Sequence, residues 1–198
     1  MADPEARDPE EQLRAICETL HDHDVNYVVF GSFAGRLQGA DLRTLDVDIV
    51  PDMTPDNLQR LADALNSLEP RWRVAEEGPG MPIDGRLEPR HFLGDSLAVG
   101  LVTRAGYVDV VLHPKGFESG YSALVDHAVR LAIGDHVVLV GALGDLIVSK
   151  QQLAREKDLV HLPELRRRAT ELGVNVPEPR EPDRGPAKDR GPGYDIGM

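Results

Sequence analysis

Val28-Val29-Phe30-Gly31-Ser32-Phe33-Ala34-Gly35-Arg36-Leu37, followed after a short link by Arg43-Thr44-Leu45-Asp46-Val47-Asp48-Ile49-Val50, is the stretch that decides the fold. Asn26 to Phe30 is a β-rich burst punctuated by Gly31-Ser32, and it runs directly into a short helix through Phe33, Ala34 and Leu37 that closes at Gly39. Glycine permits the tight turn. The start of a helix leaves backbone N–H groups free beside a positive dipole end, which suits a phosphate. Gly31 and the Ser32 hydroxyl are therefore candidate phosphate-binding groups. Arg36, one turn further on, is either a third such group or an ordinary surface arginine. Taken alone, the turn reads equally as a plain strand-to-helix junction with Ser32 as N-cap.

Leu45 to Val50 reads as a second strand, stopped by Pro51. A period of two puts Thr44, Asp46 and Asp48 on one face and Leu45, Val47 and Ile49 on the other. Aspartate is depleted from strands, and two carboxylates this close are unfavourable unless a cation lies between them. Hard divalent ions such as Mg²⁺ take oxygen ligands and bridge carboxylates to phosphates. A third carboxylate, Asp109, interrupts the apolar strand Tyr107-Val108-Asp109-Val110-Val111-Leu112. A buried ionised carboxylate needs a partner. A metal shared by Asp46, Asp48 and Asp109 supplies one, and an arginine or an edge position is the alternative.

An apolar strand, Gly-Ser, a helix, Asp-x-Asp on the next strand and a later lone Asp together resemble the DNA polymerase β-like nucleotidyltransferases over about the first 115 residues. The resemblance implies transfer of a nucleoside monophosphate from an NTP, with one or two Mg²⁺ ions held by the three aspartates. It also implies an α/β (α+β) core, a mixed twisted sheet flanked by helices with a short C-terminal helical segment.

A second constellation narrows the resemblance. In the helix from Leu143 to Ala154, the stripe 143, 147, 150, 154 is apolar except for Lys150. Such a lysine either snorkels to solvent or reaches a polar site with its head. Arg155-Glu156-Lys157-Asp158 then opens the next helix, where Asp158 also suits the helix dipole. Lys-x4-Arg-x-Lys-Asp, with the Arg43-Thr44-x-Asp-x-Asp form, resembles the AbiEii-like bacterial toxin nucleotidyltransferases, which include the MenT toxins. That resemblance implies that Lys150 and Asp158 are essential beside Asp46, Asp48 and Asp109, and that Thr44, Arg155 and Lys157 lie at the nucleotide. It implies a tRNA 3′ end as acceptor, often receiving pyrimidines and so losing aminoacylation, and a cognate antitoxin as partner. Residues 10–172 then form one domain, with a sheet core over 25–140 and helices over 141–172.

The remaining chain is read from local pattern. Leu13, Ile16, Cys17 and Leu20 predict a helix from Glu10 to near His23, and Thr54-Pro55 predicts the start of another. Leu97–Thr103 and Tyr107–Leu112 predict a hairpin, as do His127–Ile133 and His136–Val140. Arg71 to Val74 is a short strand, Glu76 to Gly85 a loop, and the last helix, Lys157 to Leu172, breaks at Pro163. His21-Asp22-His23-Asp24 is a solvated helix stop and Cys17 a core residue. Met1 to Pro9 frays, and 173–198, with Asp-Arg-Gly-Pro twice, is a disordered or loosely packed tail.

The chain has 198 residues, 41% of them hydrophobic, and carries 34 Asp+Glu against 22 Lys+Arg, a net charge of −12. That charge excludes a generally basic RNA-coating protein. The excess is uneven: residues 1–149 sum to −13 and residues 150–198 to +1. Between Lys150 and Arg168 the count is 6 basic against 3 acidic, so any RNA contact is expected on that helical face, with Arg166, Arg167 and Arg168 as candidates. The longest apolar runs fall far below the roughly 18 residues of a membrane span, and the acidic start lacks a signal peptide pattern. A cytoplasmic location without membrane contact is expected. Competing functions are nucleotidyl transfer to an antibiotic or a protein, with the Glu76-Glu77 loop as an acidic pocket, or a non-catalytic nucleotide-binding regulator.

Overall fold

Asp8 opens the first helix: its side chain accepts from the Glu10 N–H, and Pro9 takes the first helical position. In the computed structural model, which describes residues 8–176, this helix is α1 (Pro9–Asp22), with Leu13, Ile16, Cys17 and Leu20 on its buried stripe. Strand β1 (Tyr27–Phe30) follows, buried at all four positions, then α2 (Gly31–Leu37) with no intervening loop. Next come β2 (Asp46–Pro51), α3 (Pro55–Ser67), β3 (Arg71–Trp72) and β4 (Met81–Pro82). A 3₁₀ turn at Pro89–Phe92 leads to β5 (Ala98–Thr103) and β6 (Gly106–Val111). A one-turn helix α4 (Tyr121–Leu124) precedes β7 (Val129–Ile133), β8 (His136–Val140), α5 (Leu143–Leu153) and α6 (Glu156–Glu171).

The strands form one mixed sheet in the order β4-β3-β5-β6-β2-β1-β8-β7. β2 pairs parallel with β6 and antiparallel with β1, and β1 pairs parallel with β8. The fold class expected from the sequence is the one observed. Helices α1 and α3 pack on each other, while α5 packs against both α2 and α6. The register sets Asp48 beside Asp109 and Asp109 beside Gly100, so three adjacent strands carry one row across the sheet.

Several local expectations need correction. Helix α6 runs through Pro163 without a break. Proline there removes the donor to the Leu159 carbonyl and crowds it, on a stretch of the helix where Leu159 and Val160 are exposed and no core packing is disturbed. Pro51 ends β2 from within it. The start of α3 falls where it was read, with Thr54 at the N-cap and Pro55 first in the helix, and the Thr54 Oγ1 donates to Asp52. Met81–Pro82 forms a short strand inside the predicted loop, and the strand at Arg71 ends at Trp72. Of the apolar residues read on the other face of β2, Val47 and Ile49 are buried, but Leu45 is exposed just before the strand. Residues 1–7 and 177–198 lie outside the described residues, and so do most of the expectations for the two ends. Val176, the last described residue, packs against the core.

Asn57 ties α3 to the entry of β1. It is fully buried, and its Oδ1 accepts from the Asn26 N–H at 2.8 Å while its Nδ2 donates to the carbonyls of Asn26 and Asp52 at 2.9 and 2.8 Å. Asn57→Ala leaves these backbone groups without partners, so urea unfolding should show a loss of about 2–3 kcal/mol.

Candidate active site

The positions of the carboxylates follow from strand period and register. Asp46 and Asp48 share one face of β2, and Asp109 on β6 is the register partner of Asp48. All three line a cleft of about 680 Å³, with Gly31, Ser32 and Lys150 on its walls. Gly31 has a left-handed backbone (φ 63°), and a Cβ there would overlap the Asp48 carboxylate. Its glycine identity therefore serves both the turn and the carboxylate. Gly31→Ala should cost about 1–2 kcal/mol for the backbone and push Asp48 out of line. Any transfer activity should fall by roughly 100-fold or more, on the scale of a 1 Å misplacement, as read from initial rates of label transfer.

The electrostatics of the three differ. Burial, reinforced by the neighbouring Asp46 and Asp109, pushes the Asp48 carboxyl up to about 8. Burial also raises Asp109 to about 6, against the opposing charge of Arg73. Burial works the same way on Asp46, but a 2.6 Å hydrogen bond from Thr44 and the Arg73 charge together hold it below the usual carboxylate range. Ionising all three together at neutral pH would therefore call for a cation.

The donor set fits a divalent one: three hard carboxylate groups, with the buried Oδ1 of Asp109 making no hydrogen bond among the described residues. The three do not by themselves close into a cation cage among the described residues. Instead the Arg73 guanidinium takes one oxygen of Asp46 at 3.3 Å and one of Asp109 at 2.7 Å. The arginine partner left open for Asp109 in the sequence is thus realised for one of its two oxygens.

A second cluster lines the same cleft. Lys150 does not snorkel; it is 7% exposed, and its Nζ donates to Ser32 Oγ and Asp158 Oδ1, both at 3.1 Å. Arg155 Nε donates to Asp158 Oδ2 at 2.6 Å. Burial alone would raise the Asp158 carboxyl, but the bonds and charges of Arg155 and Lys150 hold it below its ordinary value. Ser32 is not the N-cap of α2, a place taken by Phe30, and its Oγ also lies 3.0 Å from His161 Nδ1. Burial, and then the Lys150 charge, hold His161 below its ordinary value.

Lys157 and Arg36 line the cleft, the latter with its guanidinium carbon 5.4 Å from the Phe33 ring. Arg166, Arg167 and Arg168 do not line it. Arg167 pairs with Glu164 and Glu171, Arg168 donates to the Gln38 carbonyl at 2.7 Å, and Arg166 is exposed. Arg73 and His161 were not singled out in the sequence. His161 was findable, three residues after Asp158 on the same helix face. Arg73 carries no local signal, since its place depends on β3 pairing with β5.

No protein-family model matches this chain, and no curated protein matches it. Solved structures do. The antibiotic-resistance factor ANT(2'')-Ia aligns over 83% of this chain and 84% of its own, with a TM-score of 0.53 and 13% identity. A putative nucleotidyltransferase from Thermotoga maritima aligns over 80% and 91%, with a TM-score of 0.47 and 16% identity. An antigenic nucleotidyltransferase-like protein from Paracoccidioides brasiliensis aligns over 78% and 72%, with a TM-score of 0.43 and 19% identity. The eight-stranded mixed sheet with its flanking helices is thus a fold shared with the antibiotic-resistance factor ANT(2'')-Ia. No helix among the described residues is long and apolar enough to cross a membrane.

Proposed function

We propose that this protein is a Mg²⁺-dependent nucleotidyltransferase that moves a nucleoside monophosphate from an NTP, a pyrimidine nucleotide in the related toxins, to the 3′ end of tRNA. As such it would block aminoacylation as the toxin of a toxin–antitoxin pair, restrained by a cognate antitoxin. The observation that carries this reading is the meeting of Asp46, Asp48 and Asp109 with the buried Lys150–Asp158 pair across one cleft. Each half of that arrangement matches one half of the motif set read from the sequence.

The chain's own groups divide the work. Lys150 is held by Ser32 and Asp158 at the cleft wall, and Arg155 and Lys157 stand beside it to meet the triphosphate charge. A divalent cation held by Asp46, Asp48 and Asp109 would neutralise the phosphates and lower the pKa of the attacking hydroxyl. In the reaction the acceptor oxygen bonds to the α-phosphorus, the bond to the β-phosphate oxygen breaks, pyrophosphate leaves and the hydroxyl proton passes to a cleft carboxylate or water. Arg36, Arg43, Lys115 and Lys157 line the cleft, and beyond the three aspartates its acidic lining residues are Glu76 and the already paired Asp158. A basic lining suits a polyanionic acceptor better than a cationic drug.

A second reading, transfer to a small antibiotic, is favoured by Glu76 in the cleft lining and by the antibiotic-resistance factor that shares this fold. The test is to incubate the protein with Mg²⁺, each α-labelled NTP in turn, and total tRNA, an aminoglycoside and lincosamide panel, or a protein extract. Label in the tRNA band that disappears in Asp48→Asn supports the first reading. Label confined to the drug or protein fraction overturns the tRNA acceptor, and label nowhere overturns the transferase.

A further inference from the structure

We propose that Arg73 is the resident counter-ion of Asp46 and Asp109, so that a divalent cation must compete with its guanidinium for these carboxylates, and Arg73 thereby sets the metal affinity of the site. This rests on the cation-binding reading above and assigns a positioning residue to it. Arg73 Nη1 lies 3.3 Å from Asp46 Oδ2 and Nη2 lies 2.7 Å from Asp109 Oδ2, with the three side chains 16–23% exposed. The planar guanidinium fork can span two carboxylates at once, which an ammonium cannot.

Four features of the chain build this contact. Arg73 follows directly on β3, and its N–H still donates to the Gly100 carbonyl at 3.0 Å, holding the residue against β5. Gly100 is the register partner of Asp109. A Cβ on Gly100 would come within 3.2 Å of Asp109 Oδ1 and 3.4 Å of Arg73 Cβ and Nε, so the missing side chain is the gap across which the arginine reaches. Beyond it, the Arg73 guanidinium carbon lies 5.8 Å from the ring centre of Tyr107, the register partner of Asp46. Glycine gap, aromatic face and two carboxylates together specify one arginine rotamer.

The consequence is competition. The guanidinium occupies one oxygen on each of two of the three candidate ligands, and its charge lies within hydrogen-bond distance of both. Removing it leaves the carboxylates mutually repelling and free for a cation. Manganese binding to the full chain, followed by electron paramagnetic resonance of free Mn²⁺, reads this without any turnover. Arg73→Gln is expected to bind Mn²⁺ about tenfold tighter than wild type, in line with the loss of one close like charge. In chelator its melting temperature should fall by about 3–8 °C, and saturating Mn²⁺ should close that gap. Arg73→Lys, which keeps the charge but loses the fork, should fall between the two.

Arg73→Gln binding Mn²⁺ no tighter than wild type overturns the proposal while leaving the cation site intact. Wild type binding no Mn²⁺ at all overturns both. If Arg73→Gln does not fold by circular dichroism, the arginine side-chain NMR signals of wild type decide. The Arg73 signal, assigned through Arg73→Lys, should shift on adding Mg²⁺, and an unmoved signal overturns the proposal.

Discussion

Asp48→Asn is expected to abolish nucleotidyl transfer and at the same time to make the metal-free protein more stable. The loss of activity, at least about 10³-fold, follows from removing the central carboxylate of the three, the one whose register partner is Asp109. The gain in stability follows from the same placement. Asp48 is desolvated and flanked by Asp46 and Asp109, and its carboxyl is raised from 3.8 to about 8. The folded state therefore holds a proton that the unfolded chain has released. Stability from this group is present in full below about pH 4 and is lost as pH rises towards 8. Asp109, raised to about 6, acts in the same direction. Asp46 and Asp158, both held low, act oppositely: their stability is present above the usual carboxylate range and is lost only in strong acid.

Thermal melts of the metal-free protein at pH 5 and pH 8 check this directly. Wild type should melt lower at pH 8, with Mg²⁺ restoring most of the difference. Asp48→Asn should show a smaller difference and a gain of about 1–3 kcal/mol at pH 8. Equal wild-type melts at the two pH values, or a variant less stable than wild type at pH 8, would contradict the electrostatic account of the site.

Lys150→Met is expected to cost about 2–4 kcal/mol and to remove transfer activity. It strips the buried Asp158 of one of its two cationic partners and Ser32 of a donor. Asp158 is 1% exposed, so its charge has no solvent to fall back on. The informative variant is the double one. Lys150→Met with Asp158→Leu removes both members of the buried pair and leaves Arg155 free to turn to solvent, since its side chain is 54% exposed. Stability should recover to within about 1 kcal/mol of wild type while activity stays lost. Urea unfolding and label transfer separate the two effects. Recovery of activity along with stability would show that the pair is structural only.

The elements near the site were legible in the sequence because each rests on a short-range cause. Gly31 follows four buried apolar residues and marks the turn, and Asp46 and Asp48 share a face because a strand has a period of two. Lys150 stood out as the one charged position on an apolar stripe. Pro163 misled because its local effect, a missing donor, fell on an exposed turn of the helix. Thr54-Pro55 marked the start of α3 correctly, with Thr54 at the N-cap and Pro55 at the first helical position, although the Thr54 hydroxyl turns to Asp52. The arginine run at 166–168 offered three candidates for RNA contact, yet Arg168 crosses to the end of α2 and bonds the Gln38 carbonyl.

Sequence alone, then, determined the vocabulary of the candidate site: a Gly-Ser turn, three aspartates, and a lysine with a later aspartate. Strand period, glycine geometry and helical spacing are local properties that need only neighbouring residues. Tertiary structure alone decided what each of those groups touches. Sheet order brings Arg73 past Gly100 to Asp46 and Asp109, and the packing of α6 on α5 brings His161 and Asp158 to Ser32 and Lys150. Those contacts join residues up to 129 positions apart. No spacing rule records such pairings, because they depend on strand order and helix packing, which only burial of the whole core selects.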